Sequence, residues 1–264
     1  MKKLIGIMIS GAMAAAMSMP AFAAENLFDI KCGEDAWAKL SGDGIMTISG
    51  TGYMDTFGLF DDTPDYPWQN DATSMLIENI VIEEGITNFD FVWELPQLKT
   101  MRLPDSITGF NFWEFSYFRN VQDKVFFSPY VDFIGTDTTL GNMTLEELEN
   151  LFGDSKDAFA QYTCTFYAYK DTVWDRLADY GMKFHAMGDL DGNASIDITD
   201  AAGILKMYAG EAAGIIDVNF DMNSDAADIN RDGNIDISDA AAALEYYASC
   251  AAGIDIDWES ILQK

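Results

Sequence analysis

Two stretches in the last third of the chain place oxygen-bearing side chains at alternate positions and end with an aspartate at the twelfth position. A twelve-residue EF-hand-type loop binds Ca2+ with oxygens from positions 1, 3, 5, 7, 9 and 12, and position 7 uses its backbone carbonyl. The residues at these positions are Asp189, Asp191, Asn193, Ser195, Asp197 and Asp200 in the first loop, and Asp228, Asn230, Asp232, Asn234, Asp236 and Asp239 in the second. The spacing therefore predicts two metal sites that hold two Ca2+ ions.

The two loops belong to an internal repeat. The segment 189–210 returns 39 residues later as 228–249, and ten of the 22 aligned residues are identical. At loop position 6, where the chain turns sharply with a positive φ, the second loop has Gly233 but the first has Ala194. An alanine in a left-handed conformation costs about 1 kcal/mol, so we expect Ca2+ to leave the first loop first.

A helix should follow each loop and carry the apolar residues that pack this part of the chain together. The residues concerned are Ile204, Leu205 and Tyr208 in the first copy, and Ala243, Leu244 and Tyr247 in the second. Their i, i+1, i+4 spacing predicts one buried face on each helix.

At these residues the chain resembles type I dockerins, the calcium-dependent modules that attach secreted proteins to the cohesin domains of a cellulosome scaffold. The resemblance covers residues 188–253, through the duplicated pattern D-x-[DN]-x-[DN]-x-x-I-D-I-[TS]-D and the helix after it. It implies a small all-α calcium-binding domain of paired EF-hand-like loop–helix units over 187–253, with a tail over 254–264.

The same resemblance implies that the partner is a cohesin domain of a scaffold protein. The implied contact residues are Ile198, Thr199, Leu205, Lys206, Ile237, Ser238, Leu244 and Glu245. Two similar copies imply docking in two orientations related by a half-turn. The contrast of Lys206 with Glu245 breaks this symmetry.

A second repeat lies in front of the loops. Segments 77–89, 98–110 and 121–133 align at intervals of 21 and 23 residues, and offsets 0, 5, 9 and 12 are apolar in every copy. In this alignment Lys124 stands where the other copies have apolar residues. Periods in the twenties with short strands are typical of a leucine-rich solenoid, in which each copy buries its apolar edge against the next.

This region resembles the BspA-type leucine-rich repeats of bacterial surface proteins, in the motifs WAKLSGDGIMTISGTGYM, Pro67-Trp68, IVIEEGITNF and MRLPDSITGF. The resemblance implies that the chain is α+β, with a short leucine-rich-repeat solenoid over 24–186. Asp43-Gly44 between two apolar runs predicts a β-hairpin cap at its start. The segment 165–184 resembles a terminating unit, with Asp171 as the N-cap of its helix and Gly181 at the helix end.

The N-terminus predicts secretion. A pair of lysines precedes an apolar run and a small-residue site that ends at Ala23, which is the pattern of a signal peptide over 1–23. We therefore expect an extracellular protein without a transmembrane segment, and the dockerin resemblance implies that it is attached to a cellulosome. The net charge of −29 disfavours nucleic acid and anionic lipid as partners. The cysteines leave two possibilities open: a disulfide between Cys32 and Cys164, or buried free thiols.

The sequence contains no signature of a serine hydrolase, a zinc protease or a phosphate-binding loop. Together with the dockerin resemblance, this leads us to expect a non-catalytic cellulosome component whose repeat domain recognises a carbohydrate or a protein. The alternative is a dockerin-borne hydrolase of plant polysaccharide, which needs only two carboxylates about 5 to 9.5 Å apart. Candidate carboxylates beside the repeats are Glu83, Glu84, Glu94 and Glu114. Trp93 and Trp113 stand at equivalent positions of two copies, where they serve either as core or as a sugar-stacking surface.

Overall fold

The structure is a computed structural model that describes residues 26–55, 66–89, 95–111, 117–130, 133–135, 159–214, 222–255 and 258–262. The signal peptide expected over 1–23 lies outside these residues. So do Glu94 and Glu114 and the two tryptophans that precede them in the sequence.

The main sheet begins with three antiparallel strands, β1 (Asn26–Lys31), β2 (Gly33–Ser41) and β3 (Ile45–Met54). The connection between β2 and β3 is the predicted Asp43-Gly44 turn. Gly44 has a φ of 82° and donates its N–H to the Ser41 carbonyl at 3.0 Å. Glycine adopts this positive φ without a steric penalty. The predicted hairpin is therefore present, and β1 adds a further strand to its edge.

Five parallel strands continue the sheet beyond β3. They are β4 (Asn79–Ile82), β5 (Thr100–Arg102), β7 (Lys124–Phe126), β9 (Thr165–Ala168) and β10 (Phe184–Ala186). The order across the eight strands is β1-β2-β3-β4-β5-β7-β9-β10. A separate parallel pair consists of β6 (Gly109–Asn111) and β8 (Phe133–Gly135).

The strand register corrects the predicted third repeat. Strand β4 pairs with β5 at a separation of 21 residues, as predicted, but β5 pairs with β7 at 24 residues rather than 23. Val125 therefore lies opposite Met101 in the core, and Lys124 lies on the outward face. Phe127 rather than Phe126 is fully buried for the same reason. A slip of one residue moves every side chain of a strand to the opposite face, so the extra residue keeps the lysine out of the core.

The inward side chains of the parallel strands form one apolar core. Each copy contributes its first apolar residue, and Ile77, Leu98 and Val121 are all buried. Near β9 the core is aromatic, and the rings of Phe127 and Trp174 stack with centroids 3.8 Å apart. Burial of one large apolar side chain contributes about 1.5 to 3 kcal/mol. The stacked strands are therefore stabilised mainly through this inward face.

Helices are short except in the C-terminal part. They are α1 (Asp71–Ser74), α2 (Val173–Leu177), α3 (Ile198–Ala212), α4 (Ile237–Ala252) and α5 (Trp258–Leu262). Short 3-10 helices span Pro67–Gln69, Tyr117–Asn120, Ala178–Tyr180 and Ser224–Ala226. The mixture of a strand-rich first part with helices after it confirms the predicted mixed α and β content. No helix in the described part of the chain is both long and apolar enough to cross a membrane.

Helix α2 ends as predicted but begins differently. Gly181 ends the following 3-10 turn in a left-handed conformation with a φ of 89°. At the start, the Thr172 hydroxyl rather than the predicted Asp171 accepts the Trp174 N–H, at 3.3 Å. Asp171 has a φ of 58°, and its carboxylate accepts a hydrogen bond from the Tyr246 hydroxyl of α4 at 2.8 Å. The residue predicted as a cap therefore joins the sheet region to the C-terminal helices.

The C-terminal helices share a second apolar core with the last strands of the sheet. Tyr169, which follows β9, donates its hydroxyl to the Ile229 carbonyl at 2.5 Å. The indole of Trp258 meets the Tyr169 ring edge to face and stacks on Tyr246, with centroids 4.9 Å apart in both pairs. This shared core fixes the C-terminal helices to one end of the sheet.

The cysteines give a first test of the fold. All three are free thiols; Cys32 and Cys164 are buried and Cys250 is exposed. Burial raises the pKa of Cys32 and of Cys164 to about 12, so at pH 8 only on the order of one such thiol in ten thousand is a thiolate. We expect iodoacetamide to label Cys250 alone in the native protein and all three cysteines after unfolding without reductant, as measured by intact mass. A single label after unfolding would instead reveal a disulfide between the two buried cysteines.

Candidate functional site

The two acidic loops contain the same internal hydrogen bonds. In each loop the N–H of position 6 donates to the carboxylate of position 1, from Ala194 to Asp189 at 2.9 Å and from Gly233 to Asp228 at 3.2 Å. The N–H of position 7 donates to the side-chain oxygen of position 5, at 2.7 Å in the first loop and 2.8 Å in the second. These local side-chain to backbone bonds turn the chain back on itself. The repeat in the sequence is therefore also a repeat in the structure.

Positions 9 and 12 of each loop build the start of the following helix. Asp197 caps α3 by accepting the Thr199 N–H at 2.6 Å, and Asp236 caps α4 by accepting the Ser238 N–H at 2.7 Å. The position-12 aspartate accepts the N–H of the cap residue at 2.9 Å in both loops, which completes a capping box. Because position 12 is also a predicted ligand, one side chain fixes both the loop and the helix start.

Three of the predicted ligands, Asp189, Asp200 and Asp239, are buried. Asp200 and Asp239 accept backbone N–H groups, but desolvation outweighs these bonds. It raises the pKa of Asp200 above its ordinary value and the pKa of Asp239 to about 6. A nearby positive charge would stabilise the ionised form of these carboxylates.

The first loop brings three carboxylates together. Asp189, Asp191 and Asp200 each offer one oxygen atom, and these three atoms all lie within 4.8 Å of one another. Oxygen atoms are the ligands that hard divalent cations such as Ca2+ and Mg2+ prefer. The aspartates of the second loop do not form an equally close group among the described residues.

The second loop differs at its position-1 carboxylate. Asp228 Oδ2 accepts a hydrogen bond from Arg102 Nη2 at 2.8 Å, in addition to the one from Gly233. Asp228 Oδ1 is buried and has no hydrogen-bond partner in the described part of the chain. One oxygen of this predicted ligand is therefore engaged by two donors, while the other has no donor among the described residues.

Backbone strain is distributed evenly between the loops. Ala194 has a φ of 66° at position 6, as predicted, where Gly233 has 89°. Position 4 is left-handed as well, with a φ of 70° at Gly192 and 61° at Arg231. Each loop therefore places one glycine and one residue with a side chain at its two left-handed positions. The premise that strain burdens only the first loop is therefore wrong, and the order in which the two loops lose Ca2+ stays a prediction.

Helices α3 and α4 expose a matching set of apolar side chains. The exposed fractions at equivalent positions are 63% and 59% for Ile198 and Ile237, 41% and 40% for Leu205 and Leu244, and 37% and 42% for Tyr208 and Tyr247. The polar residues predicted beside them are also accessible: Thr199, Ser238 and Lys206 are exposed and Glu245 is half-buried. The structure thus places the predicted contact residues on accessible surface of the two helices.

The buried faces predicted for these helices need correction. Ile204 and Ala243 are buried as predicted, but the leucine and the tyrosine that share their predicted face are exposed in each copy. The buried stripes continue instead through Met207 and Tyr246. The i, i+3 spacing of Ile204 with Met207, and of Ala243 with Tyr246, is the sequence signal that separates the two faces. The prediction placed Tyr208 and Tyr247 on the buried face because it relied on the i, i+1, i+4 spacing of apolar residues and did not use the i, i+3 pairs.

Comparison with known proteins adds little to this geometry. No protein-family model and no curated protein sequence matches the chain. The solved structure of a leucine-rich repeat protein from Eubacterium ventriosum resembles it at 16% sequence identity and a TM-score of 0.32. The match covers 55% of this chain and 39% of that protein's chain. A likeness this weak transfers no property from one protein to the other.

The shared strain can be tested at Ala194. The substitution Ala194→Gly removes the cost of about 1 to 2 kcal/mol for an alanine in a left-handed conformation. It also lowers stability by about 0.4 to 1 kcal/mol, because glycine gives the unfolded chain more conformational entropy. We expect a net gain of about 0.5 to 1 kcal/mol in the free energy of unfolding, measured by urea titration. The control is Ala213→Gly, because Ala213 has an ordinary φ of −84° at the end of α3. That variant should lose stability, and a loss in both variants would contradict the expectation.

Proposed function

We propose that residues 187–253 form a dockerin-type module that binds two Ca2+ ions and docks onto a cohesin domain of a scaffold protein. The strand-rich part before it would be a leucine-rich-repeat recognition domain, and the whole a secreted, non-catalytic component of a cellulosome-like assembly. The observation that carries the proposal is the pairing of two matched acidic loops with two matched apolar faces on the helices that those loops begin.

Bound Ca2+ would supply the positive charge that the buried carboxylates of the loops lack. The residues proposed to hold it are those at positions 1, 3, 5, 7, 9 and 12 of each loop, Asp189 to Asp200 and Asp228 to Asp239. Position 12 also receives the N–H of the helix cap in each loop. Ordering the loop would therefore order the first turn of α3 or α4, where Ile198 and Ile237 begin the exposed apolar faces.

Exposed apolar side chains that recur in register favour a protein partner. Clustered apolar groups on a surface mark interaction sites, and tyrosines are enriched among the residues that dominate binding energy. The two faces match at their apolar residues, which supports docking in either of two orientations. They differ at Lys206 and Glu245, so a partner with a charged rim would favour one orientation.

A polar groove on the sheet supports a ligand for the repeat domain. The groove has a volume of about 570 Å3 and lies along the strands of the antiparallel part. Its lining includes Lys39, Ser41, Asp43, Thr47 and Glu83. Hydroxyl, ammonium and carboxylate groups of this kind form hydrogen bonds with sugar hydroxyls or a polar peptide. We propose this groove as the recognition surface of the repeat domain.

The docking proposal makes a prediction about the two helix faces. With Ca2+, a cohesin domain should bind the full chain, and excess chelator should abolish binding, as measured by isothermal titration calorimetry. Replacing Leu205 and Tyr208 with alanine should leave most of the affinity, because the α4 face still docks. Replacing Leu244 and Tyr247 as well should cost about 30-fold or more, the loss of at least one residue of about 2 kcal/mol.

The control variant is Tyr53→Ala, because Tyr53 is a highly exposed aromatic residue of β3 and should not affect cohesin binding. If changes at Ile198 and Thr199 alone, or at Ile237 and Ser238 alone, abolish binding, docking in two orientations is wrong. Unchanged affinity in chelator would contradict the calcium-dependent mechanism.

The hydrolase alternative would use Asp43 and Glu83, which line the same groove. The Ser41 hydroxyl donates to Asp43 and lowers the pKa of this carboxyl, which suits a base or nucleophile rather than an acid. We expect no release of reducing sugar from plant polysaccharides by the wild-type chain. Hydrolysis that disappears in both Asp43→Asn and Glu83→Gln would establish the alternative.

A further inference from the structure

The segment that leads into the second loop crosses the outward face of the sheet. It makes three side-chain contacts: Asn223 with Tyr167, Asp225 with Lys124, and Asp228 with Arg102. The sheet residues belong to β9, β7 and β5, which are consecutive in the sheet. The first ligand position of the second loop is therefore held against the repeat strands.

A reciprocal contact closes the same interface. Arg231, at position 4 of the second loop, donates to the Asp105 carboxylate at 2.7 Å and to the Leu103 carbonyl. Its side chain is 8% exposed. Arg102 of the sheet therefore pairs with the loop, and Arg231 of the loop contacts the residues that follow β5.

Arg102 has two contacts that place its charge at the loop. Its guanidinium lies over the Phe126 ring, 5.9 Å from the centroid, and it pairs with Asp228, where the Arg102 side chain is 35% exposed and the Asp228 side chain 15%. The positive charge lies on the carboxylate whose other oxygen, Oδ1, is buried and has no hydrogen-bond donor among the described residues.

The first loop has a different environment. Both hydrogen bonds to the Asp189 carboxylate come from its own loop, from the N–H groups of Asn193 and Ala194. No lysine or arginine in the described part of the chain forms an ion pair with a predicted ligand of this loop. The Lys170 ammonium does reach this loop, where it donates to the Ala194 carbonyl, but its contact is with the backbone and not with a predicted carboxylate ligand.

We infer that Arg102 is a positioning residue of the repeat sheet that ties the second loop to the sheet and weakens its cation site relative to the first. The guanidinium already compensates Asp228, and it repels a cation bound within a few ångströms. This inference rests on the proposed calcium binding. It reverses the order expected from the sequence, since the second loop now loses its ion first.

The test measures Ca2+ binding by the full chain with isothermal titration calorimetry. The Asp191→Ala substitution removes an exposed proposed ligand of the first loop, so that the titration measures Ca2+ binding by the second loop alone. In this background Arg102→Gln should tighten Ca2+ binding about tenfold, the effect of one unit charge at short range in a partly screened site. Arg102→Lys keeps the charge and should stay within about twofold of the parent.

The matched control is Lys124→Gln, which removes a neighbouring ion pair of the same interface without touching a ligand. It should leave the affinity of the second loop within about twofold. In an Asp232→Ala background, which leaves only the first loop, Arg102→Gln should have no effect.

Unchanged or weaker binding in Arg102→Gln overturns the inference but leaves the proposed function intact, provided that the parent chain binds two ions. An equal gain in Lys124→Gln also overturns it, because loosening of the interface would then be responsible. A parent chain that binds no Ca2+ overturns the proposed function and the inference with it.

Discussion

Carboxylates removed from water are the constraint on which the C-terminal half depends. A buried charge is tolerated only where hydrogen bonds or an opposite charge compensate it. The loops partly compensate Asp200 and Asp239 with their own N–H groups, and basic side chains of the sheet pair with the largely buried Asp228 and with the more exposed Asp225. The C-terminal half is therefore held on the sheet by charge as well as by the apolar core around Trp258.

The inward faces of the same half combine small and large apolar residues. Ala201, Gly203, Ala240 and Ala243 are buried on α3 and α4, beside the larger Ile204, Met207 and Tyr246. The leucine and tyrosine side chains of the outer faces stay exposed. Partner binding is proposed at these outer faces because of that exposure, and the loops fix where each face begins.

Local features were predictable from the sequence because the information lies within a few residues. The positive φ at position 6 of each loop and the Asp43-Gly44 turn are of this kind. The register of the third repeat strand was not predictable from the sequence, because aromatic residues at both Phe126 and Phe127 hide a one-residue insertion. The Arg102–Asp228 ion pair was not predictable either, since 126 residues separate its two members and nothing in the sequence around one residue indicates the other.

Duplicated sequences acquire different environments through tertiary contacts. At loop position 4 the first copy has Gly192 and the second has Arg231, which looks in the sequence like the loss of a turn residue. In the structure Arg231 has a φ of 61° and a buried side chain that pairs with Asp105. A left-handed arginine costs about 1 to 2 kcal/mol, and a charged hydrogen bond of about 1.5 to 3 kcal/mol offsets it. The exchange of glycine for arginine therefore distinguishes the second loop, whose side chain at position 4 pairs with Asp105, from the first loop, which is contacted from outside at its backbone by Lys170 and His185.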